Sequence, residues 1–134
     1  MRQAQTVLTI ETRGKGLSEI THEVVAWAGK QNVTSGLLTL FCRHTSASLI
    51  IQENADPDVR TDLLSYLEDI APETRDYVHD SEGPDDMPAH IRTALTGVQL
   101  SIPVAKGKLM LGTWQGIYLF EHRARPHRRE VVLH

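Results

Sequence analysis

The sequence predicts an α+β fold: a largely antiparallel β-sheet, sandwich- or barrel-like at its core, with about three helices. Two observations carry this. Strand-like segments crowd the C-terminal half and are joined by turns too short for parallel crossovers, while helical periodicity is confined to three earlier stretches. The length adds a bound: 134 residues make one domain, 1–134, able to bury most of its chain surface. A full (β/α)₈ barrel, at roughly 250 residues, does not fit.

Each element has its own signal. Gln5 to Thr12 alternates apolar and polar residues as a half-buried strand does, and Arg13-Gly14-Lys15-Gly16 reads as a turn. Ser18 is placed to cap a helix running to Lys30, with Ile20, Val24 and Trp27/Ala28 on one stripe and Gly29 and Asn32 near its end. Gly36 to Arg43 and Ser46 to Glu53 are strands covered on both faces. Asp56 as N-cap and Pro57 at the first helical position open a helix to Ile70. Its stripe is Val59, Leu63, Tyr66, Leu67 and Ile70, and Ala71-Pro72 stops it. Glu73 to Met87 is a long polar loop, of a length usually tied to function. Pro88 opens a short helix closed by Gly97. Four strands follow, over Val98–Val104, Lys108–Thr113, Gly116–Arg123 and Glu130–Leu133.

Charge and composition exclude several classes. Lys and Arg number 14 against 17 Asp and Glu, a net charge of −3, so no global field draws the chain to nucleic acid or anionic lipid. Hydrophobic residues make 40% and charged residues 23%, as in ordinary globular domains. No apolar run approaches the roughly 20 residues of a membrane helix. The single cysteine, Cys42, excludes an internal disulfide, reads as a small buried hydrophobe, and fits a cytoplasmic protein. Arg123, Arg125, Arg128 and Arg129 lack the interleaved aromatic residues of a nucleic-acid platform and suit a charged edge strand.

Histidine and carboxylate placement is the unusual feature. His44 follows a strand, His79 opens the acidic loop, and His90 lies in the first turn of the next helix. Three such residues are able to converge on one ion, with Glu82, Asp85 or Asp86 orienting the rings or supplying an oxygen. The same residues also suit ordinary roles at a strand end, a solvated loop and a helix terminus. His22 reads as a surface residue, and His122, His127 and His134 as solvated members of the basic C-terminal region. Glu53-Asn54 ends a strand before a helix cap, and Gly112-Thr113-Trp114-Gln115-Gly116 sets an aromatic and an amide between glycines. Glu121 and Arg123 share one strand face, where they pair with each other or meet a phosphate.

Several stretches together resemble the YjbQ family. They are His44-Thr45-Ser46-Ala47-Ser48-Leu49, Glu53-Asn54 with Asp56-Pro57 and Asp62, and His79-Asp80-Ser81-Glu82-Gly83. Asp85-Asp86-Met87-Pro88-Ala89-His90-Ile91 and Gly112-Thr113-Trp114-Gln115-Gly116-Ile117, with Glu121 and Arg123, complete the set. The resemblance runs in order over nearly the whole chain; Asp85-Asp86 stands where the family pattern has Asp-Asn, which adds a carboxylate.

The resemblance implies an α+β fold, a homotrimer, and a divalent metal, zinc or magnesium, held by His44, His79 and His90 near a subunit boundary. Around them it implies Glu53, Asn54, Glu82, Trp114, Gln115 and Arg123. It also implies a secondary thiamine-phosphate synthase activity, which joins a pyrimidine methyl diphosphate to a thiazole phosphate and releases pyrophosphate. For that chemistry Glu53 and Glu82 are the expected acid/base groups. Arg123 and Arg43 would neutralise the leaving diphosphate, and Asn54, Trp114 and Gln115 would hold substrate, Trp114 against the pyrimidine. The expectation is therefore a metal-assisted enzyme on phosphorylated small molecules. The alternative is a non-catalytic trimer that binds a metabolite or a metal. Neither membrane nor nucleic acid is expected as a partner.

Overall fold

The computed structural model describes residues 1–134. In chain order its elements are β1 (Thr6–Glu11), β2 (Gly16–Glu19), α1 (Thr21–Lys30), β3 (Gly36–Cys42), β4 (Ala47–Glu53) and α2 (Pro57–Ile70). They continue with α3 (Asp86–Thr96), β5 (Gln99–Ala105), β6 (Lys108–Leu109), β7 (Gln115–Glu121) and β8 (Arg128–Leu133). No helix is long and apolar enough to cross a membrane.

All strand pairs are antiparallel. They form a five-stranded sheet, β1-β8-β3-β5-β6, and a three-stranded sheet, β2-β7-β4, that curl together as a half-barrel. Alternation along each strand aims one row inward. Leu38, Leu40 and Cys42 of β3 meet Ala47 and Leu49 of β4, Ile117 and Leu119 of β7, and Val131 and Leu133 of β8 in one core. Ile20 and Val24 of α1 close its end. β7 is buried on both faces, because Tyr118, Phe120 and His122 turn away from this core and are covered in their turn. This explains its unbroken apolar sequence.

Three elements depart from the sequence expectation. The strand expected over Lys108–Thr113 keeps only Lys108–Leu109, the length over which it finds a partner in Val104–Ala105. Gly16–Glu19 is a strand paired to Tyr118–Glu121, so Ser18 faces Leu119 across the sheet and caps no helix; α1 starts at Thr21 behind Ile20, whose amide donates to the Ile117 carbonyl. Sheet pairing has taken a residue that local propensity assigns to a cap. α3 starts at Asp86, two residues earlier than Pro88 suggests, and this brings Asp86 and His90 onto one helix face.

α2 shows how the sequence fixes the helices. Asp56 Oδ1 accepts from the Asp58 amide at 2.9 Å, and Glu53 Oε2 accepts from the amides of Ala55 at 3.0 Å and Asp56 at 2.7 Å. Such a cap contributes about 1 kcal/mol. At the other end Arg92, buried on α3, donates to the carbonyls of Ala71 at 2.7 Å and Leu67 at 3.4 Å. A cation thus satisfies the terminal carbonyls of α2, and clamps α3, with its histidine, to the body of the fold.

Candidate metal centre

The loop between α2 and α3 is long but tied down. Tyr77 Oη donates to the Pro72 carbonyl at 2.7 Å, and Arg123 Nη2 donates to the Glu82 carbonyl at 3.1 Å. Gly83, at φ +98°, makes the turn that returns the chain to α3, a conformation that L side chains rarely adopt. This folding carries His79 onto Asp86.

Asp86 is the hub. Its Oδ2 lies 2.6 Å from His79 Nε2 and 3.0 Å from His90 Nε2, while its Oδ1 lies 2.7 Å from Arg123 Nη1. The two imidazole rings are 5.6 Å apart between centroids, and the three ligand atoms all lie within 4.8 Å of one another. Asp86 is buried, whereas both rings are partly open to solvent. Glu82 Oε2 approaches His79 Nε2 at 3.1 Å from the exposed side. Asp85 stands behind the cluster, its Oδ2 accepting from Arg123 Nε at 2.8 Å and from the Ala124 amide at 2.9 Å.

The electrostatics follow from this arrangement. Burial alone raises the Asp86 carboxyl, but hydrogen bonding to His79 and the charges of His90 and Arg123 more than reverse it, leaving its pKa below the ordinary range. His79 is raised, chiefly by its hydrogen bond to Asp86. Arg123 holds one carboxylate oxygen, so the other is left to face the two nitrogens.

His90 adds a further constraint. Its Nδ1 lies 2.8 Å from the Thr45 carbonyl and must carry the proton to donate there. In the neutral ring Nε2 is then a lone pair directed at Asp86 Oδ2, another acceptor. Only a proton or a cation reconciles the two.

The expected residues fall into three groups. His79, His90, Glu82 and Arg123 meet around Asp86. His44 does not join them: its Nε2 accepts from the Glu130 amide at 2.8 Å, and Asp86 takes the third place. His44 and Arg43 line a cleft that reaches the far side of His90. Glu53, Asn54, Trp114 and Gln115 lie elsewhere. In the β4–β7 register Glu53 is opposite Gln115, whereas Ala47 is opposite Glu121, the neighbour of His122 and Arg123. Six residue steps separate the two ends, about 20 Å. There Gln115 Oε1 accepts from the Gly112 amide at 2.7 Å, the Trp114 carbonyl accepts from the Asn54 amide at 3.0 Å, and the indole is exposed.

His122, read as solvated, and Arg129, read as part of a charged edge strand, are both interior. His122 is 1% exposed, with Nε2 2.9 Å from Ser48 Oγ, which also accepts from Thr96 Oγ1 at 2.6 Å. Arg129 is buried because β8 is an interior strand, and it pairs with Glu121. Glu121 therefore pairs with Arg129, not with its strand neighbour Arg123.

The fold and this cluster define a class: a small α+β half-barrel protein carrying a solvent-facing histidine–carboxylate centre. A family model described as UPF0047 protein YjbQ-like matches residues 6–134, and the chain belongs to that family. It is 55% identical over 134 residues to the UPF0047 protein sll1880 of Synechocystis sp., covering 99% of this chain and 91% of that protein. To the UPF0047 protein YjbQ of Salmonella typhimurium it is 43% identical over 129 residues, covering 96% and 94%. The crystal structure of an uncharacterised conserved protein of the yjbq/upf0047 family from Clostridium acetobutylicum superposes with a TM-score of 0.88 at 39% identity, over 95% of this chain and 97% of that one.

These comparisons correct the functional expectation. The relatives' names stop at the family or state unknown function, and nothing among them supports thiamine-phosphate synthesis or another metal-assisted reaction on phosphorylated small molecules. The side chains give a physical reason. The Glu53 carboxylate, expected as an acid/base group, is committed to the start of α2, and the Arg123 guanidinium is committed to Asp85 and Asp86 rather than free for a diphosphate.

Proposed function

We propose that this protein binds a divalent cation, one per chain, through His79 Nε2, Asp86 Oδ2 and His90 Nε2. The observation that carries the reading is the shared Asp86 oxygen, with the His90 lone pair forced toward it by the Thr45 carbonyl. A carbonyl that accepts from the other ring nitrogen in this way fixes the tautomer of a metal-bound histidine. Two imidazole nitrogens and one carboxylate oxygen suit zinc and its first-row neighbours better than magnesium, which prefers oxygen ligands and keeps its waters. Three protein ligands leave a position for water or an oxygen donor. The reading ascribes binding to the centre and no turnover. A cytoplasmic location belongs to it, supported by the free, buried thiol of Cys42.

Metal analysis tests it. Untagged protein supplied with zinc and then desalted is expected to retain about one ion per chain, and His90→Ala and Asp86→Ala variants to retain none. Zinc at about 100 times its dissociation constant should stabilise the parent by about 2.7 kcal/mol. Equal metal in parent and variants would sink the proposal.

Assembly into homotrimers is the second part. It is supported by Met110 and Trp114, large apolar side chains more than half exposed in the segment that joins β6 to β7. Light scattering is expected to give three times the 15.0 kDa of one chain, and a lower mass for Trp114→Lys. A parent mass of one chain would rule the trimer out.

A further inference from the structure

The cation centre has an acidic neighbour that its three ligands leave unused. Glu82 Oε2 lies 3.1 Å from His79 Nε2, a nitrogen whose other contact is Asp86. Atoms that share one zinc ion, each about 2.0–2.1 Å from it, stand about 3.3 Å apart in a tetrahedron. The Glu82 oxygen already keeps nearly that spacing from one ligand, while the three ligand atoms gather within 4.8 Å of one another. Its side chain is 63% exposed, so rotation about its own bonds is free to carry the carboxylate the remaining way inward.

The backbone of Glu82, by contrast, is fixed, and by the residue that fixes the centre. Arg123 donates from Nη2 to the Glu82 carbonyl at 3.1 Å and from Nε to Asp85 Oδ2 at 2.8 Å, and its Nη1 lies 2.7 Å from Asp86 Oδ1. A guanidinium is a rigid planar fork, so one side chain sets residues 82, 85 and 86 in constant relation to one another. Gly83 makes the turn between them, where a Cβ would press on Asp85 Oδ1 at 3.1 Å. Charge points the same way. Arg123 and Asp85 cancel, and metal-bound histidines are neutral, so a divalent ion on Asp86 alone leaves a surplus positive charge in the centre. The Glu82 carboxylate removes it.

We infer that Glu82 is the fourth ligand of the cation, swinging onto the ion as it binds and closing the position that His79, Asp86 and His90 leave open. This rests on the reading of the centre as a cation site. Four protein ligands make a site of the closed kind, which holds an ion, whereas catalytic sites keep a position for water or substrate. The loop between α2 and α3 is then clasped to the first turn of α3 through the ion, by Glu82 as well as by His79.

Cobalt(II), whose visible absorption reports its ligands, is the probe, and azide tests for an open position. The cobalt spectrum of the parent should be unmoved by azide up to about 10 mM, and that of Glu82→Ala should shift saturably as the anion takes the vacated position. The Arg123 bond to residue 82 is to its carbonyl and survives the substitution. Glu82→Ala should bind zinc at least about tenfold more weakly at unchanged one-to-one stoichiometry. Asp80→Asn, which removes a charge from the same loop, should stay within about fivefold of the parent, the worth of an exposed charge. An azide-sensitive parent, or a Glu82→Ala variant with the zinc affinity of the parent, would overturn the inference and leave the three-ligand centre standing. Equal losses in Glu82→Ala and Asp80→Asn would do the same, reducing Glu82 to its charge. A parent that takes up neither metal overturns both readings.

Discussion

Replacing Arg129 with Met is expected to destabilise the protein by about 3–5 kcal/mol, the cost of leaving a buried charge without its partner. Glu121 is 1% exposed and Arg129 4%, on strands β7 and β8 where both should be apolar by position. Arg129 Nε donates to Glu121 Oε1 at 2.8 Å and Nη2 to Oε2 of the same carboxylate, a bidentate pair. Nη2 also reaches Ser46 Oγ at 3.0 Å, while Thr12 Oγ1 donates to Glu121 Oε1 at 2.7 Å. Without the guanidinium, the carboxylate keeps only the Thr12 hydroxyl and the Arg123 amide. Denaturant titration should show the loss as a lower midpoint at unchanged slope. The double variant Arg129→Met, Glu121→Leu should recover most of it, because removing both charges removes the desolvation cost as well. A single variant within about 1 kcal/mol of the parent would show that the pair is not dry.

The second large effect is a pH dependence set by His122. Burial, with Arg92 adding to it, lowers its pKa from 6.5 to about 3. Below pH 6.5 the unfolded chain takes up a proton that the folded chain refuses until about pH 3. Stability attributable to this ring therefore falls with falling pH by about 1.4 kcal/mol per unit across that window. His44, also lowered by burial, acts in the same direction. His79 acts in the opposite one: its raised pKa stabilises the fold at low pH, an advantage lost as pH rises through the raised value. Asp85, Asp86 and Glu121 are lowered carboxyls, whose contribution is lost only once pH falls below their ordinary values of 3.8 to 4.5. Comparing the parent with His122→Gln, whose amide retains a partner for Ser48, isolates the ring. Between about pH 6 and 4.5 the parent should lose stability more steeply by about 1.4 kcal/mol per unit. Parallel curves would mean that the imidazole is hydrated.

The signals that the sequence carries clearly are those with a local cause. Asp56-Pro57 marks the start of α2, the apolar run Leu37 to Cys42 marks a strand, and the whole motif order marks the family. Failures arise where a partner distant in the chain decides. Gly16–Glu19 is a strand only because β7 lies beside it, and a four-residue segment that opens on a glycine carries too little periodicity to announce that. His79 and His90 are recognisable as candidates, but Asp86 emerges as their hub only once α3 is known to begin there, one turn below His90. His122 and Arg129 sit in a run of basic residues that looks solvated. The strand partners of β7 and β8 make them interior, and nothing local distinguishes Arg129 from the exposed Arg128 except alternation. Glu53 and Trp114 fall together with the histidines in motif order, yet the register separates them along the full length of a strand pair.

The position of β8 has a consequence for how the chain comes to be folded. It is the last of the eleven elements to be synthesised, yet it lies between β1 and β3, with Thr6 opposite Leu133. Until it is present β1 has no neighbour and β3 offers a bare edge, so the larger sheet of the nascent protein consists of β3, β5 and β6 alone. Pairings this remote in the chain make for slow, concerted folding, and they expose strand edges to other chains meanwhile. The molecule closes like an arch whose keystone arrives last, and its time of greatest risk is the interval just before the final strand is delivered.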